Sequence, residues 1–419
     1  MSLRRDRRYT LHVRLDRYDS YLTTFHTRVT ATATDQRGTW VRLERSAFYP
    51  TAGGQPHDVG TLGSERGVFE VQDVQTRAGD DDVWHLLGGR GDHGANEVAV
   101  GESVVGKIDW PRRWRNMQRH SAQHVLSQAL VRVSPAFGTL SVSMRGPDCT
   151  IDVGGELGED DLLAAESAAN DAARQNHPIT AFEVDDSRLG EYALRRPAKV
   201  AGLVRLVAIG HYDVVACGGT HLRSSAEVLP IKVVGSERVR GGDTRITFRA
   251  GEEAVADYRA KHAAAEALGR AFSAPVQELA ERGVRLKEEL AAADRQAAKW
   301  RGRLAAAYLE RLVAEARGGV VSAVLEGEDA ALVPDLVEAC QALPRTVSLL
   351  AGAADGGARL AFVAGPDADL DVRPVLQAAL ASLGGRGGGR PDRAQGAAEA
   401  SPAAVRDVLA RTLATLTSR

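Results

Sequence analysis

Two short segments, His120-Ser-Ala-Gln-His124 and Cys217-Gly-Gly-Thr-His221, decide how this chain is read. In the first, two imidazoles stand at i and i+4 in a run of good helix formers that stops at Pro135, so the spacing predicts a helix with both rings on one face. In the second, Gly218, Gly219 and Thr220 separate a thiol from an imidazole, and the two glycines let the backbone turn sharply enough to bring both side chains to one point. Three neutral nitrogens and one thiolate make a zinc-type set. Either segment alone has a plainer reading, as a surface or core histidine or as a tight loop. Together they gather four ligand-type residues in a chain with 11 His and 3 Cys, and a metal held by His120, His124, Cys217 and His221 is the expectation.

The wider strings carry a family resemblance. Arg119-His-Ser-Ala-Gln-His124, Tyr212-Asp-Val-Val-Ala-Cys-Gly-Gly-Thr-His221 and the earlier Ala47-Phe-Tyr-Pro-Thr-Ala-Gly-Gly-Gln-Pro56 resemble the editing domain of alanyl-tRNA synthetases, in its order and spacing. Without an aminoacylation domain ahead of it, the chain is similar to the AlaX editing proteins in their long form, and amino-acid activation is not expected. The resemblance implies an aminoacyl-tRNA deacylase that uses zinc to hydrolyse seryl- and glycyl-tRNA made in error on tRNA(Ala). Through the metal, His120, His124, Cys217 and His221 would then also be the catalytic residues.

Composition fits an ordinary cytoplasmic enzyme. At 419 residues and 44% hydrophobic the chain supports several domains, each with its own core. Three cysteines, one a proposed ligand, cannot build a disulfide framework, which points to a reducing compartment. No apolar run of signal-peptide or membrane-spanning length occurs, so neither export nor a membrane is expected.

The net charge of −2 is locally segregated. Lys107, Arg112, Arg113, Arg115 and Arg119 run into the first ligand histidine against Asp109 alone, with Trp110 and Trp114 interleaved. Such a patch either holds tRNA phosphates beside the metal or simply solvates a surface.

Four pieces follow along the chain, and the fold class expected is α+β. Residues 1–106 alternate strand-like runs such as Val29-Thr-Ala-Thr-Ala33 and Trp40-Val-Arg-Leu-Glu44 with Gly-rich turns, which reads as a small β-barrel. Residues 107–250 mix the histidine helix, a helix near 159–176 and several strands, as an α+β editing domain. Residues 251–317 are helical, and from Val276 a seam at Leu279, Gly283, Leu286, Leu290, Ala293, Ala297, Trp300 and Leu304 steps by three and four. Small residues weaken that seam, so either an antiparallel partner within the chain or a homodimer through 251–419 would cover it. Residues 318–419 carry buried-strand runs, two helices and the glycine-rich loop 384–395 with Arg386, Arg390 and Arg393. Alone, the loop is a flexible turn or a phosphate cradle; the resemblance implies a C-terminal domain that holds tRNA.

A pocket made for alanine's methyl cannot strongly reject serine, whereas a second pocket built to bind the hydroxyl rejects alanine by about 10⁴–10⁵. Hydroxyl readers are therefore expected beside the zinc. Thr139 and Ser141 match a family strand of the form Thr-Val-Ser-Phe-His-Leu-Gly, from which Ser143 and Arg145 depart; strand propensity is the alternative reason for both. Gly53, Gly54 and Gln55 form either a positive-φ turn or a lip on the terminal adenosine, and Gly218, Gly219 and Thr220 join the expected substrate-binding set. Two further functions remain open. One is a zinc-stapled RNA-binding protein without catalysis, since four protein ligands close a tetrahedral site. The other is an editing enzyme for another tRNA such as tRNA(Thr), because threonyl-tRNA synthetases use a similar His and Cys/His arrangement.

Overall fold

The structure is a computed structural model and describes residues 13–77, 82–88, 98–198, 201–354 and 357–418. The chain forms two compact units, Met1–Glu266 and Ala267–Arg419.

The first unit opens with a closed six-stranded barrel, in the spatial order Thr24–Asp35, Gly38–Leu43, Val83–Leu87, Gly67–Thr76, Gly60–Ser64 and Ser103–Ile108, every neighbour antiparallel. Its first strand alternates outward Thr24, His26 and Arg28 with buried Phe25, Thr27 and Val29, the period-two pattern of a strand with one face in a core. Phe25, Val41, Phe48, Leu62, Val71 and Val104 fill the interior. Closure removes the exposed edges that so short a sheet would otherwise offer.

Helix α1 (Trp110–Val133) starts just after the last barrel strand, at an Asp109 cap whose carboxylate accepts from Arg112 N at 2.9 Å, with Pro111 in the first turn. It packs with α2 (Glu159–Arg174) on a four-stranded antiparallel sheet ordered Ile231–Arg238, Thr244–Ala250, Cys149–Val153 and Thr139–Ser143. Met117, Val125, Leu126 and Leu130 meet Ile151 and Phe248 there, while Ala165, Ala169 and Ala172 allow α2 a close approach. Unusually, α1 also buries Asn116, Gln118, His120, Ser121, Gln123, His124 and Ser127. Polar groups are costly to bury unless paired, so a helix with this much buried polarity marks a built site. A three-stranded antiparallel sheet, Ile179–Asp185, Leu203–Ile209 and Asp213–Ala216, ends at Cys217 and carries it to α1.

Helix α3 (Gly251–Phe272) contains the boundary between the units. In the second unit α4 (Leu279–Ala314) is followed by a five-stranded sheet ordered Val320–Glu326, Val347–Ala354, Gly357–Ala364, Arg393–Ala398 and Arg386–Arg390, the first pair parallel and the rest antiparallel. Helices α5 (Val333–Gln341), α6 (Val372–Ser382) and α7 (Pro402–Thr417) cover it, giving one cluster around Leu349, Phe362, Leu376 and Leu409 and another around Leu336, Leu350 and Val363.

Two expectations are corrected here. Residues 384–395 are no loop: Arg386–Arg390 and Arg393–Ala398 pair as a hairpin around Pro391 and Asp392. Glycine lowers strand propensity, yet a Cβ on Gly389 would lie 2.3 Å from Arg393 O and one on Gly387 2.5 Å from Gln395 O, so only bare backbone pairs this closely. Nor, among the described residues of the second unit, does an antiparallel partner cover the α4 seam, where Leu290, Trp300 and Leu304 are exposed; the buried residues of α4 are Ala305 and Leu312, near its C-terminal end, against α5.

Candidate metal centre

The i, i+4 spacing on α1 and the turn after Asp213–Ala216 bring the four expected residues together. Ring centroids lie 5.0 Å apart for His120 and His124, 4.3 Å for His120 and His221, and 4.6 Å for His124 and His221. Cys217 Sγ is 3.3 Å from His120 Nε2 and 3.4 Å from His221 Nε2. One donor atom from each residue falls within 4.8 Å of every other. A tetrahedral zinc with Zn–N of about 2.0–2.1 Å and Zn–S of about 2.3 Å has edges of roughly 3.3–3.6 Å, so the sulfur-to-nitrogen spacings already suit it.

The far side of each ring supports the same use. His120 Nδ1 is 2.7 Å from Gln55 Oε1, and His221 Nδ1 is 3.2 Å from Ser121 Oγ. His124 Nδ1 is buried with no hydrogen-bond partner and lies 3.8 Å from Asp213 Oδ2. A histidine that binds metal through one nitrogen is fixed in tautomer and orientation by what the other nitrogen meets, and here Nδ1 is taken in two rings and faces a carboxylate in the third.

Burial sets the protonation. It drives His120 down to about 3, helped by the charges of Arg205 and Arg195, and it holds His124 and His221 well below the ordinary 6.5, each further lowered by neighbouring histidine charge. The rings are neutral imidazoles with no proton to displace. Burial also pushes the Cys217 thiol up, a direction that a bound cation reverses by stabilising the thiolate. The four donors fit a metal ion.

A cavity of about 210 Å³ opens beside the cluster, lined by His120, His124 and Cys217 but not by His221. Tyr49, Gly53, Thr139, Val142 and Gly218 form part of its wall, and Arg14, Arg17, Arg195 and Arg196 supply the charge. One side of the cluster therefore faces space that a substrate can enter.

Against this geometry, two families match the sequence: tRNA synthetases class II (A) over residues 19–112, and the threonyl and alanyl tRNA synthetase second additional domain over residues 204–247. The alanine–tRNA ligase of Pyrobaculum neutrophilum is 33% identical over 417 residues, covering 94% of this chain and 44% of that protein. That of Pyrococcus abyssi is 30% identical over 374 residues, covering 86% and 39%. The chain is alanyl-tRNA synthetase-like. It spans less than half the length of the curated relatives described here. Among solved structures, the C-Ala domain from Aquifex aeolicus alanyl-tRNA synthetase is 18% identical, with a TM-score of 0.20 over 24% of this chain and 87% of that one.

In this alanyl-tRNA synthetase-like chain the remaining sequence-predicted residues divide sharply. Thr139 and Gly53 line the cavity; Gly218 does too. Gly53 and Gly54 take φ of +56° and +84°, and a Cβ on Gly54 would lie 2.7 Å from Val142 O, so this barrel turn rests directly on the strand Thr139–Ser143. Gln55 is fully buried behind His120 and cannot reach a ligand in the cavity. Its Oε1 accepts from Thr220 N at 3.2 Å and faces His120, while its Nε2 donates to Thr220 Oγ1 at 2.8 Å, so Gln55 and Thr220 lock the two motifs together. A Cβ on Gly219 would lie 2.1 Å from His120 Cε1, which makes that glycine a packing requirement of the ring.

Ser141 points away from the cavity and donates to Asp152 Oδ2 at 2.7 Å. A register shift between Asp152 and Val153 puts an extra residue, Leu140, into the strand, so Thr139 shares the cavity with Val142 and Ser141 takes the opposite face. Arg113 is fully buried, with Nε 3.0 Å from Asp58 Oδ1 and Nη1 donating to Ser20 O at 2.7 Å; it braces α1 on the barrel and is out of a phosphate's reach. Arg112 donates to His57 O at 3.0 Å, Arg115 is half-buried, and Trp110 and Trp114 pack against Tyr21. Arg386, Arg390 and Arg393 belong to the hairpin of the second unit. Sequence reasoning missed Arg205, whose guanidinium donates to the carbonyls of Arg17, Cys217 and Gly219 at 3.2, 2.8 and 3.0 Å and so holds the ligand turn. No spacing signal marks it; only its place on Leu203–Ile209, beside the strand leading to Cys217, reveals it.

Proposed function

We propose that this chain is a trans-editing hydrolase that holds zinc at His120, His124, Cys217 and His221 and deacylates tRNA(Ala) mischarged with serine or glycine. The observation carrying the proposal is a three-histidine, one-cysteine cluster, its imidazoles buried, with an open side on a cavity whose wall includes Thr139. Bound there, zinc would either polarise an oxygen at the ester or lower the pKa of a bound water. The protein does the rest by placement. Gln55 and Ser121 fix the rings of His120 and His221. Thr139 Oγ1 donates to Ser127 Oγ at 2.9 Å, which leaves its lone pairs free to accept from a serine hydroxyl, a contact that alanine cannot make. An aminoacyl ester is already activated, so positioning the carbonyl in a small walled cavity supplies much of what hydrolysis needs.

The partner is tRNA, the setting proposed is the cytoplasm, and among the described residues no helix is long and apolar enough to cross a membrane. Arg386, Arg390 and Arg393 serve tRNA binding in this reading, and the exposed α4 seam serves a homodimer. The match to a domain shared by threonyl and alanyl synthetases favours tRNA(Thr) as the second reading.

Incubation with seryl-, glycyl- and alanyl-tRNA of the alanine and threonine types tests both. Serine should leave tRNA(Ala) far faster than alanine, and His124→Ala should abolish its release. Zinc-loaded protein that binds tRNA but releases no amino acid from any of them would leave the non-catalytic RNA-binding protein in its place.

A further inference from the structure

The cavity carries more positive charge than an amino-acid ester needs. Of its four arginines, Arg14 pairs at two points with Asp16, Nε to Oδ1 at 2.8 Å and Nη2 to Oδ2 at 2.7 Å. Arg195 stands 3.3 Å from Asp213 and donates to His124 O at 3.2 Å. Arg17 and Arg196 have no carboxylate partner among the described residues, and Arg17 Nε is buried with no acceptor at all. Arg205, beneath the same wall, gives its donors to carbonyls and adds a further charge with no carboxylate paired to it among the described residues. Among the described residues no carboxylate lines the cavity. A buried donor without an acceptor is destabilising, and clustered guanidinium charge on a cavity wall is sustained where an anion binds.

The aminoacyl group cannot be that anion. It brings an amine, neutral or cationic, and the ribose beside it is uncharged. The nearest negative group on such a substrate is the phosphodiester on the 5′ side of the terminal nucleoside, one ribose away from the ester. We propose that Arg17 and Arg196 form a phosphate subsite that clamps this phosphodiester while the 3′ ester lies at the metal cluster. The inference rests on the reading that the cavity takes the 3′ end of an aminoacyl-tRNA. Guanidinium suits the role better than an ammonium, because its planar fork meets two phosphate oxygens at once. A phosphate contact positions without reading sequence, which fits an end that is the same in every tRNA. Holding the nucleotide at both ends removes the swing of the ribose and so orients the ester carbonyl.

The experiment measures binding, without turnover, of a non-hydrolysable serylamide of 3′-amino-3′-deoxyadenosine with and without a 5′-phosphate, to the intact metal-loaded protein by calorimetry. The 5′-phosphate should tighten binding tenfold or more, and the gain should shrink as salt rises. In the Arg17→Gln, Arg196→Gln double variant the ratio between the two analogues should fall below twofold. Arg17→Lys and Arg196→Lys, which keep the charge, should retain part of the ratio and stand in if the double variant loses its metal. Inorganic phosphate should compete with the phosphorylated analogue only.

Equal affinity for the two analogues in the wild type overturns the subsite, as does a full tenfold ratio in a double variant with normal metal content, or equal competition of phosphate with both. Failure of both analogues to bind refutes the substrate reading and the subsite with it. Binding of both with no phosphate gain refutes the subsite alone.

Discussion

Replacing Gln55 by alanine should weaken the metal site without touching any ligand. The side chain makes three contacts: His120 Nδ1 at 2.7 Å, Thr220 N at 3.2 Å and Thr220 Oγ1 at 2.8 Å, all in full burial. Alanine leaves two donors, the His120 Nδ1–H and the Thr220 N–H, with no acceptor. Each orphan costs about 1–3 kcal/mol, and a water entering the vacated volume offsets part of it, so the metal-free protein should lose about 2–3 kcal/mol. The ring of His120 also loses the partner that holds its tautomer, which by analogy with other outer-sphere partners lowers metal affinity about 10–100-fold. The loaded protein should therefore lose more stability than the metal-free one, because metal binding and folding are linked. Denaturant titrations in chelator and in excess zinc, together with zinc competition against a chromophoric chelator, read both quantities. A zinc affinity within about threefold of wild type and a stability change below about 0.5 kcal/mol would refute the argument that Gln55 orients His120. Gln55→Glu, which keeps the acceptor, should retain more affinity than Gln55→Ala.

Gly219→Ala should cut metal affinity at least tenfold, since its methyl would meet the His120 ring at 2.1 Å; unchanged zinc content under chelator challenge would contradict the packing. Thr139→Ala should lower the preference for seryl- over alanyl-tRNA by about tenfold, or 1.4 kcal/mol, whereas Ser141→Ala should leave it within about twofold; equal effects of the two in a deacylation assay would place both on the cavity. With its metal removed, the protein should lose stability as pH falls below 6.5 towards about 3, because His120 is held low by burial and binds its proton in the unfolded chain first; melts across that range that stay flat would contradict it. Arg386→Ala, Arg390→Ala and Arg393→Ala combined should reduce tRNA affinity and flatten its salt dependence, by about one unit of slope for each phosphate no longer neutralised; a tRNA titration at several salt concentrations with unaltered slope would exclude the hairpin from tRNA binding.

The cluster of His120, His124, Cys217 and His221, which could hold a metal, was legible because its information is local. An i, i+4 pair on a helix puts two rings on one face whatever surrounds it, and paired glycines between a cysteine and a histidine allow the turn that joins them. The alternation of Phe25, Thr27 and Val29 likewise announces a strand with one buried face. Other assignments depend on what lies far away in sequence. Arg113 reads as a phosphate binder until Asp58 is seen beside it, and Gln55 reads as a substrate lip until it is found behind His120. Ser141 is turned from the cavity by one inserted residue, because a single-residue slip in a strand exchanges its faces. The arginines that do line the cavity, Arg14, Arg17, Arg195 and Arg196, come from segments about 180 residues apart, and none lies in the basic run that composition marks out. Which side chains could hold a metal is written in two local motifs, whereas which charges face the cavity depends on the carboxylates and carbonyls that distant segments bring to each guanidinium: Asp58 takes Arg113 into the interior, backbone carbonyls take Arg205, and Arg17 and Arg196 are left on the cavity wall.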